Sequence, residues 1–160
     1  MNGEDFLETK SKHLAKVCVG LSKLGITYFS YGLICQKKVI ISRFSNEEWE
    51  KHYKDKGYNK KDPLLLGVIH SNLPLIVWDA LHPIGHEKKV MQERNEICKI
   101  RSGITFGING DKGKQIIAFG SPASPKEFYY LLQEEKLTLE IHNSIKSFYM
   151  AEQQAISHKA

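Results

Sequence analysis

Apolar side chains recur along the chain with two different periods, and the switches between them mark out the elements. Over residues 5–24, Leu7, Leu14, Val17, Leu21 and Leu24 fall at spacings of three, four and seven, the period of one helix face, and Gly25 follows as a stop. Residues 26–34 and 39–44 are rich in β-branched and aromatic side chains around Gln36-Lys37-Lys38, which predicts a two-stranded hairpin. Ser45 with Glu48 three positions on forms a capping box for a second helix, with Phe44 and Trp49 placed for a hydrophobic staple and Gly57 as its end. Asp62-Pro63 opens a third helix whose apolar face is Leu64, Leu65 and Val68, since aspartate caps well and proline is preorganised for the first helical position.

A short apolar run covers residues 73–78. A fourth helix over about 87–97 is charged on most sides, so shallow burial is expected for it. Strand-like runs at 103–108 and 114–119 flank the turn cluster Asn109-Gly110-Asp111-Lys112-Gly113. Ser124-Pro125 with Glu127 then starts helical sequence reaching about residue 156, with an interruption near 134–136 and a stripe of Leu137, Ile141, Ile145 and Phe148. Hairpins in sequence, rather than alternating strand and helix, predict an α+β fold: one domain over 1–160, an antiparallel sheet with helices on its faces.

Composition narrows the classes. With 41% hydrophobic and 26% charged residues the chain is ordinary for a folded protein, and no apolar run approaches the ~20 residues of a membrane-spanning helix. The polar, acidic start is unlike a secretory leader, so a cytoplasmic location and no membrane partner are expected. Cys18, Cys35 and Cys98 are far apart and form neither a disulfide framework nor a zinc pattern. The net charge of +5 comes from scattered pairs such as Lys37-Lys38 and Lys60-Lys61, not from a basic stripe, so no direct specific DNA binding is expected.

Motifs that announce common enzymes are missing: there is no G-x-S-x-G, phosphate-binding loop or H-E-x-x-H. Gly107, Gly110 and Gly113 lead into a strand and read as a hairpin turn. His82 and His86 have metal-compatible spacing but surround Pro83 and Gly85, which favours a surface loop. No metal, cofactor or catalytic group is predicted.

What remains is an aromatic constellation. Trp49 and Tyr53 share a helix face, and Tyr58, Asp62 and Trp78 follow closely, so large side chains with polar handles crowd thirty residues. Such groups suit an apolar small-molecule pocket with a few placed donors and acceptors. Taken singly, Trp49 also reads as a core staple, Tyr53 as a rim residue and Asp62 as a helix cap.

At these residues the chain resembles the autoinducer-binding domain of LuxR-type quorum-sensing transcription factors. W-E-K-H-Y-K-D-K-G-Y-N-K-K-D-P from Trp49 to Pro63, L-P-L-I-V-W ending at Trp78, and R-S-G-I-T from Arg101 to Thr105 carry the likeness, which covers residues 6–148. The resemblance implies an α-β-α sandwich with a central five-stranded antiparallel sheet, and a ligand-binding sensor domain that takes an N-acyl homoserine lactone or similar small acylated signal. It further implies that Trp49 donates to the lactone carbonyl, Tyr53 donates to the amide carbonyl and Asp62 accepts the amide N–H, while Tyr58 and Trp78 wall the ligand. Asp62→Asn is then expected to weaken ligand binding while leaving stability almost unchanged, because asparagine caps as well as aspartate.

The sequence departs from the family pattern at four places. Ser45 stands where tyrosine is common and opens the pocket; Phe119 stands where a small hydroxyl residue faces the signal and shortens it. Lys99 replaces a common glycine and Gly107 a frequent proline. The sequence ends at His158-Lys159-Ala160, where family members usually continue into a helix-turn-helix reader. Two readings of that end are expected, a truncated sensor domain or a stand-alone protein, and the alternative function that goes with the second is an anti-activator that heterodimerises with a full-length LuxR-type regulator; homodimerisation is the other assembly expected. An acyl-lactone-modifying enzyme is the remaining class, and no nucleophile–base pair supports it.

Overall fold

A computed structural model of the chain describes residues 14–159, with side chains left out at 148 and 151–159. The expectations for Leu7 and for the Phe148 side chain lie outside the described residues. Helix α1 covers residues 14–22, followed by β1 (Tyr28–Cys35), β2 (Lys38–Phe44), α2 (Glu47–Asp55), α3 (Pro63–His70), β3 (Leu75–Val77), α4 (Gly85–Cys98), β4 (Ser102–Gly110), β5 (Gly113–Ser121), α5 (Pro125–Leu132) and α6 (Glu135–Lys159). Single 3-10 turns sit at Tyr58–Lys60 and Trp78–Ala80. The break between α5 and α6 falls at Gln133 and Glu134, close to where the sequence interrupts its helical pattern.

The five strands form one antiparallel sheet in the order β2-β1-β5-β4-β3. Its two hairpins are tight. Gln36 and Lys37 turn the first with φ of 52° and 65°, and Asp111-Lys112 turn the second between paired Gly110 and Gly113. Helices cover both faces, giving the α-β-α sandwich that the resemblance implies.

Strand alternation divides the interior in two. On β1 and β5, Tyr28, Ile34, Ile116 and Ala118 face α2, α3 and α4, where Trp49, Tyr53, Leu64, Leu65, Val68, Val90 and Met91 complete one core. Phe29, Tyr31, Leu33, Ile117 and Phe119 face the other way, against Val17 and Leu21 of α1, Phe128 of α5 and Leu137 and Ile141 of α6. Phe29 and Phe119 pack with ring centroids 5.4 Å apart, and Phe106 lies 6.1 Å from Phe119, so aromatic rings fill this second core.

Two local expectations need correction. Asn46, not Ser45, caps α2: its side-chain oxygen accepts from the Trp49 amide at 2.8 Å. Ser45 is instead tied to β1, its backbone N–H donating to the Phe29 carbonyl and its Oγ accepting the Phe29 amide, both at 2.9 Å. Asparagine and serine cap equally well, and the strand contact decides between them. Phe44 accordingly packs on Tyr53, centroids 5.1 Å apart. Similarly, α4 starts at Gly85 and takes His86 into its first turn, leaving only His82 in the loop. No group of metal-ligating side chains occurs among the described residues.

Gly103 lies where Trp78 crosses the sheet. A Cβ there would stand 2.4 Å from two atoms of the indole, and the same ring is held by a 2.8 Å bond from Trp78 Nε1 to Thr105 Oγ1. Gly103→Ala must move the indole or β4, and is expected to lower stability by about 1–3 kcal/mol. A thermal melt by circular dichroism reads this directly; an unchanged midpoint would mean that the ring is free to shift.

Candidate functional site

Helices α2 and α3 meet the sheet at a cavity of about 290 Å³, near the lower end of ligand pockets (about 300–1,000 Å³). Its floor is cut from small residues. Ser30 pairs with Ala118 and Gly32 with Ile116 across β1 and β5, and the small side chains leave room above the sheet. Phe44, Leu64, Leu65 and Tyr28 supply apolar wall, while Tyr53, Asp62 and Arg94 supply the polar end.

Asp62 is the centre of that end. It caps α3, Oδ1 accepting the Leu64 amide at 3.1 Å, and its Oδ2 accepts both the Tyr53 hydroxyl at 2.9 Å and Arg94 Nη2 at 2.5 Å. Arg94, only 1% exposed, was not anticipated as a site residue. Its guanidinium carbon lies 5.2 Å from the Trp49 ring and 5.7 Å from the Trp78 ring, so the cation occupies the space between the two indoles. Burial pushes the arginine pKa down, but the adjacent Asp62 carboxylate outweighs this and raises it above its ordinary value, so Arg94 stays charged. Burial, and secondarily the charge on Asp62, push the Tyr53 hydroxyl well above its usual range, keeping it a donor.

The expectation of shallow burial for α4 is therefore wrong at its middle. Val90, Met91 and Arg94 are buried, with Ile97 and Cys98 packed beside them. Those five positions are spaced as one helix face, so the signal was present: an arginine inside an apolar stripe. An arginine enters such a stripe only when a carboxylate meets it, and the partner here comes from a different helix.

Tyr53 and Asp62 line the cavity; the other expected site residues are distributed around it. Trp49 is fully buried behind Arg94, and its Nε1 makes no hydrogen bond. Tyr58 donates to Glu93, whose Oε2 also lies 2.9 Å from His52 Nε2. Burial opposes ionisation of Glu93, yet the bonds from Tyr58 and His52 hold its carboxyl below the ordinary value. Trp78 borders a separate cleft with His82, Met91 and Asn95. Ser45 is engaged with β1 and does not line the cavity. Phe119 requires outright correction: it lies on the opposite face of the sheet, and the β5 residue facing the cavity is its neighbour Ala118. A one-residue displacement along a strand reverses the face, so Phe119 does not shorten this pocket. The cysteines are free and half-buried, with burial pushing the Cys98 thiol up to about 12, outside the range of a reactive thiolate.

The family model of the autoinducer binding domain matches residues 12–140. The chain belongs to the autoinducer-binding domain family. This autoinducer-binding domain is also similar in fold to CepR2 of Burkholderia cenocepacia, an N-acylhomoserine lactone dependent LuxR family transcription factor, with a TM-score of 0.58 and 18% identity over 94% of this chain and 93% of that one. It resembles SdiA in complex with octanoyl-rac-glycerol at a TM-score of 0.61 and 15% identity, covering 91% of this chain and 60% of that one. Against residues 1–171 of Escherichia coli SdiA in solution the TM-score is 0.56 at 19% identity, covering 94% and 96%. At such identities the likeness is one of fold. Comparison with curated protein sequences gives no match. The autoinducer-binding family is one of quorum-sensing regulators rather than enzymes, and its domain implies a small signal molecule as partner. No helix among the described residues is long and apolar enough to cross a membrane.

The Arg94 contact changes what Asp62→Asn should do. Asparagine preserves the cap but leaves a buried guanidinium without its counter-charge, so the expected loss is about 3–5 kcal/mol, not the near-neutral change that capping alone predicts. Asp62→Asn combined with Arg94→Met should recover most of it, since no uncompensated charge then remains. Urea unfolding of the single and double variants measures the difference. A single variant within about 0.5 kcal/mol of wild type would show that the pair carries no such weight.

Proposed function

We propose that the chain is the signal-binding domain of a LuxR-type transcriptional regulator and encloses one small acylated molecule, an N-acyl homoserine lactone or a chemically similar signal. The observation that carries this reading is the apolar cavity between the sheet and α2–α3, with Tyr53 and Asp62 at its polar end. CepR2 depends on an N-acylhomoserine lactone and SdiA accommodates octanoyl-rac-glycerol, so two proteins of this fold accept an acyl chain behind different heads. In this domain, the Tyr53 hydroxyl turns from Asp62 Oδ2 to donate to a head-group carbonyl. Leu64, Leu65, Phe44 and Ile116 take the chain, and no cofactor participates. The protein acts in the cytoplasm, where its regulator would meet DNA.

A second reading is an interaction protein that pairs with a second copy or with another LuxR-type regulator. It is favoured by the exposed Val19 of α1, Tyr129 and Tyr130 of α5 and Leu139 of α6, large apolar side chains outside both cores.

Saturation with a matching acyl compound, at about a hundred times Kd, should stabilise the domain by about 2.7 kcal/mol and raise Tm by roughly 5–10 °C. The emission of Trp49 and Trp78, which flank Arg94, should change in the same titration. A panel of acyl lactones and acyl glycerols from short to long chains that moves neither readout would count against a signal pocket and favour the interaction protein.

A further inference from the structure

Donors and acceptors at the polar end of the cavity are unbalanced. Asp62 already accepts three hydrogen bonds, from the Leu64 amide, the Tyr53 hydroxyl and Arg94 Nη2. The buried Nε of the same guanidinium makes none, Arg94 Nη1 has only the weakly accepting Met91 sulfur at 3.0 Å, and behind the arginine Trp49 Nε1 is unpartnered too, whereas the buried acceptor without a partner, Asn95 Oδ1, belongs to the residues of the separate cleft that Trp78 borders. The site is short of acceptors. The charges of the wall itself are matched, Arg94 by Asp62 and the exposed Lys54 by Glu50 at 3.7 Å, and the excess of positive charge lies beside it. A neighbouring cleft shares Val39, Asn59 and Leu65 with the cavity, and brings Lys37, Lys38 and Lys60 to it with no acidic residue on its wall. That approach attracts anions.

We propose that Arg94 reads the head group of the signal, and that the preferred ligand is an acyl chain whose head ends in a carboxylate, of the N-acyl amino acid class, rather than an uncharged lactone. This rests on the reading of the cavity as a signal pocket and names the chemistry of its ligand. A carboxylate offers acceptors to the unspent N–H groups of the guanidinium in the planar geometry that arginine favours. An uncharged lactone offers carbonyl acceptors there but no charge. The amide N–H is common to the acid and the lactone, so what separates the two at this site is the charge and acceptor geometry of the head. Lys37, Lys38 and Lys60 draw the anion in without holding its head.

The test uses a matched pair of probes, N-octanoyl homoserine lactone and its ring-opened acid N-octanoyl homoserine, which share acyl chain and amide and differ in head-group charge. Calorimetric titration of the full chain at neutral pH should give an acid at least about tenfold tighter than the lactone. Arg94→Gln should bring the two within about twofold of each other. Because this variant also unpairs Asp62, Asp62→Asn/Arg94→Gln, which buries no charge, is measured beside it and should lose the preference equally. A lactone that binds wild type as tightly as the acid, or more tightly, overturns the inference and leaves the acylated-signal reading intact. Preference abolished by Lys37→Gln/Lys38→Gln/Lys60→Gln but retained in Arg94→Gln places the carboxylate at the lysines and also overturns it. Silence from both probes and from decanoate removes the pocket reading itself.

Discussion

The buried ion pair between Asp62 and Arg94 is the constraint on which this half of the molecule depends. A guanidinium in an apolar core carries a desolvation cost of several kcal/mol, so it stays only where a carboxylate is held ready for it. Asp62 is held ready twice over, by capping α3 through the Leu64 amide and by accepting the Tyr53 hydroxyl from α2. Arg94 then brings in α4. One carboxylate thus joins three helices, and the indoles of Trp49 and Trp78 exclude water from the cation between them. Removing any one of these contacts exposes the cost of the others, which is why a cap, a hydroxyl and an ion pair cannot be valued separately here.

The sheet decides where a cavity is possible. Its strand alternation sends Phe29, Phe119 and Phe106 to one side, where interlocked rings leave no room. The other side of the same strands carries Ser30, Gly32 and Ala118, with too little volume to reach the helices above them. Bulk on one face and its lack on the other are two consequences of a single period-two pattern, and the pocket lies where the small side chains fall.

Much of the fold was legible because it is set by local chemistry. Asp62-Pro63 and Ser124-Pro125 begin helices as their capping geometry requires, and both hairpins turn where polar residues interrupt β-branched runs. Tyr53 and Asp62 stand out by type and spacing, the family resemblance is what gives them ligand contacts, and both line the cavity. What escaped was settled by contacts distant in sequence. Ser45 gave up the cap to Asn46 because β1 claims it, a contact across sixteen positions. Phe119 lies on the face opposite to the one the family resemblance implies, because a step of one residue is half the strand period and Ala118 takes the cavity side. Arg94 was passed over on a helix that reads as charged all round, although Val90, Met91, Ile97 and Cys98 show which side is buried. Its partner lies 32 positions away, and no local rule supplies it.

The same pair sets the terms on which any ligand is recognised. A pocket whose acceptor is free rewards a donor, and many such pockets read an amide in this way. Here Oδ2 of the acceptor is shared by Tyr53 and Arg94, so a donor-bearing head that turns to it gains a bond only by weakening one that already holds α2 or α4 in place. An acceptor-bearing head meets the guanidinium of Arg94, whose Nε has no bond to give up. Net affinity follows what a contact adds beyond those it replaces, and leaving a buried donor unpaired costs about 1–3 kcal/mol. Arg94 also neighbours Glu93, the acceptor of Tyr58 and contact of His52, so a ligand that settles Arg94 settles the part of α4 that faces α2. Specificity and helix packing are governed by the same few atoms, because the groups left unsatisfied by folding are the ones available for binding.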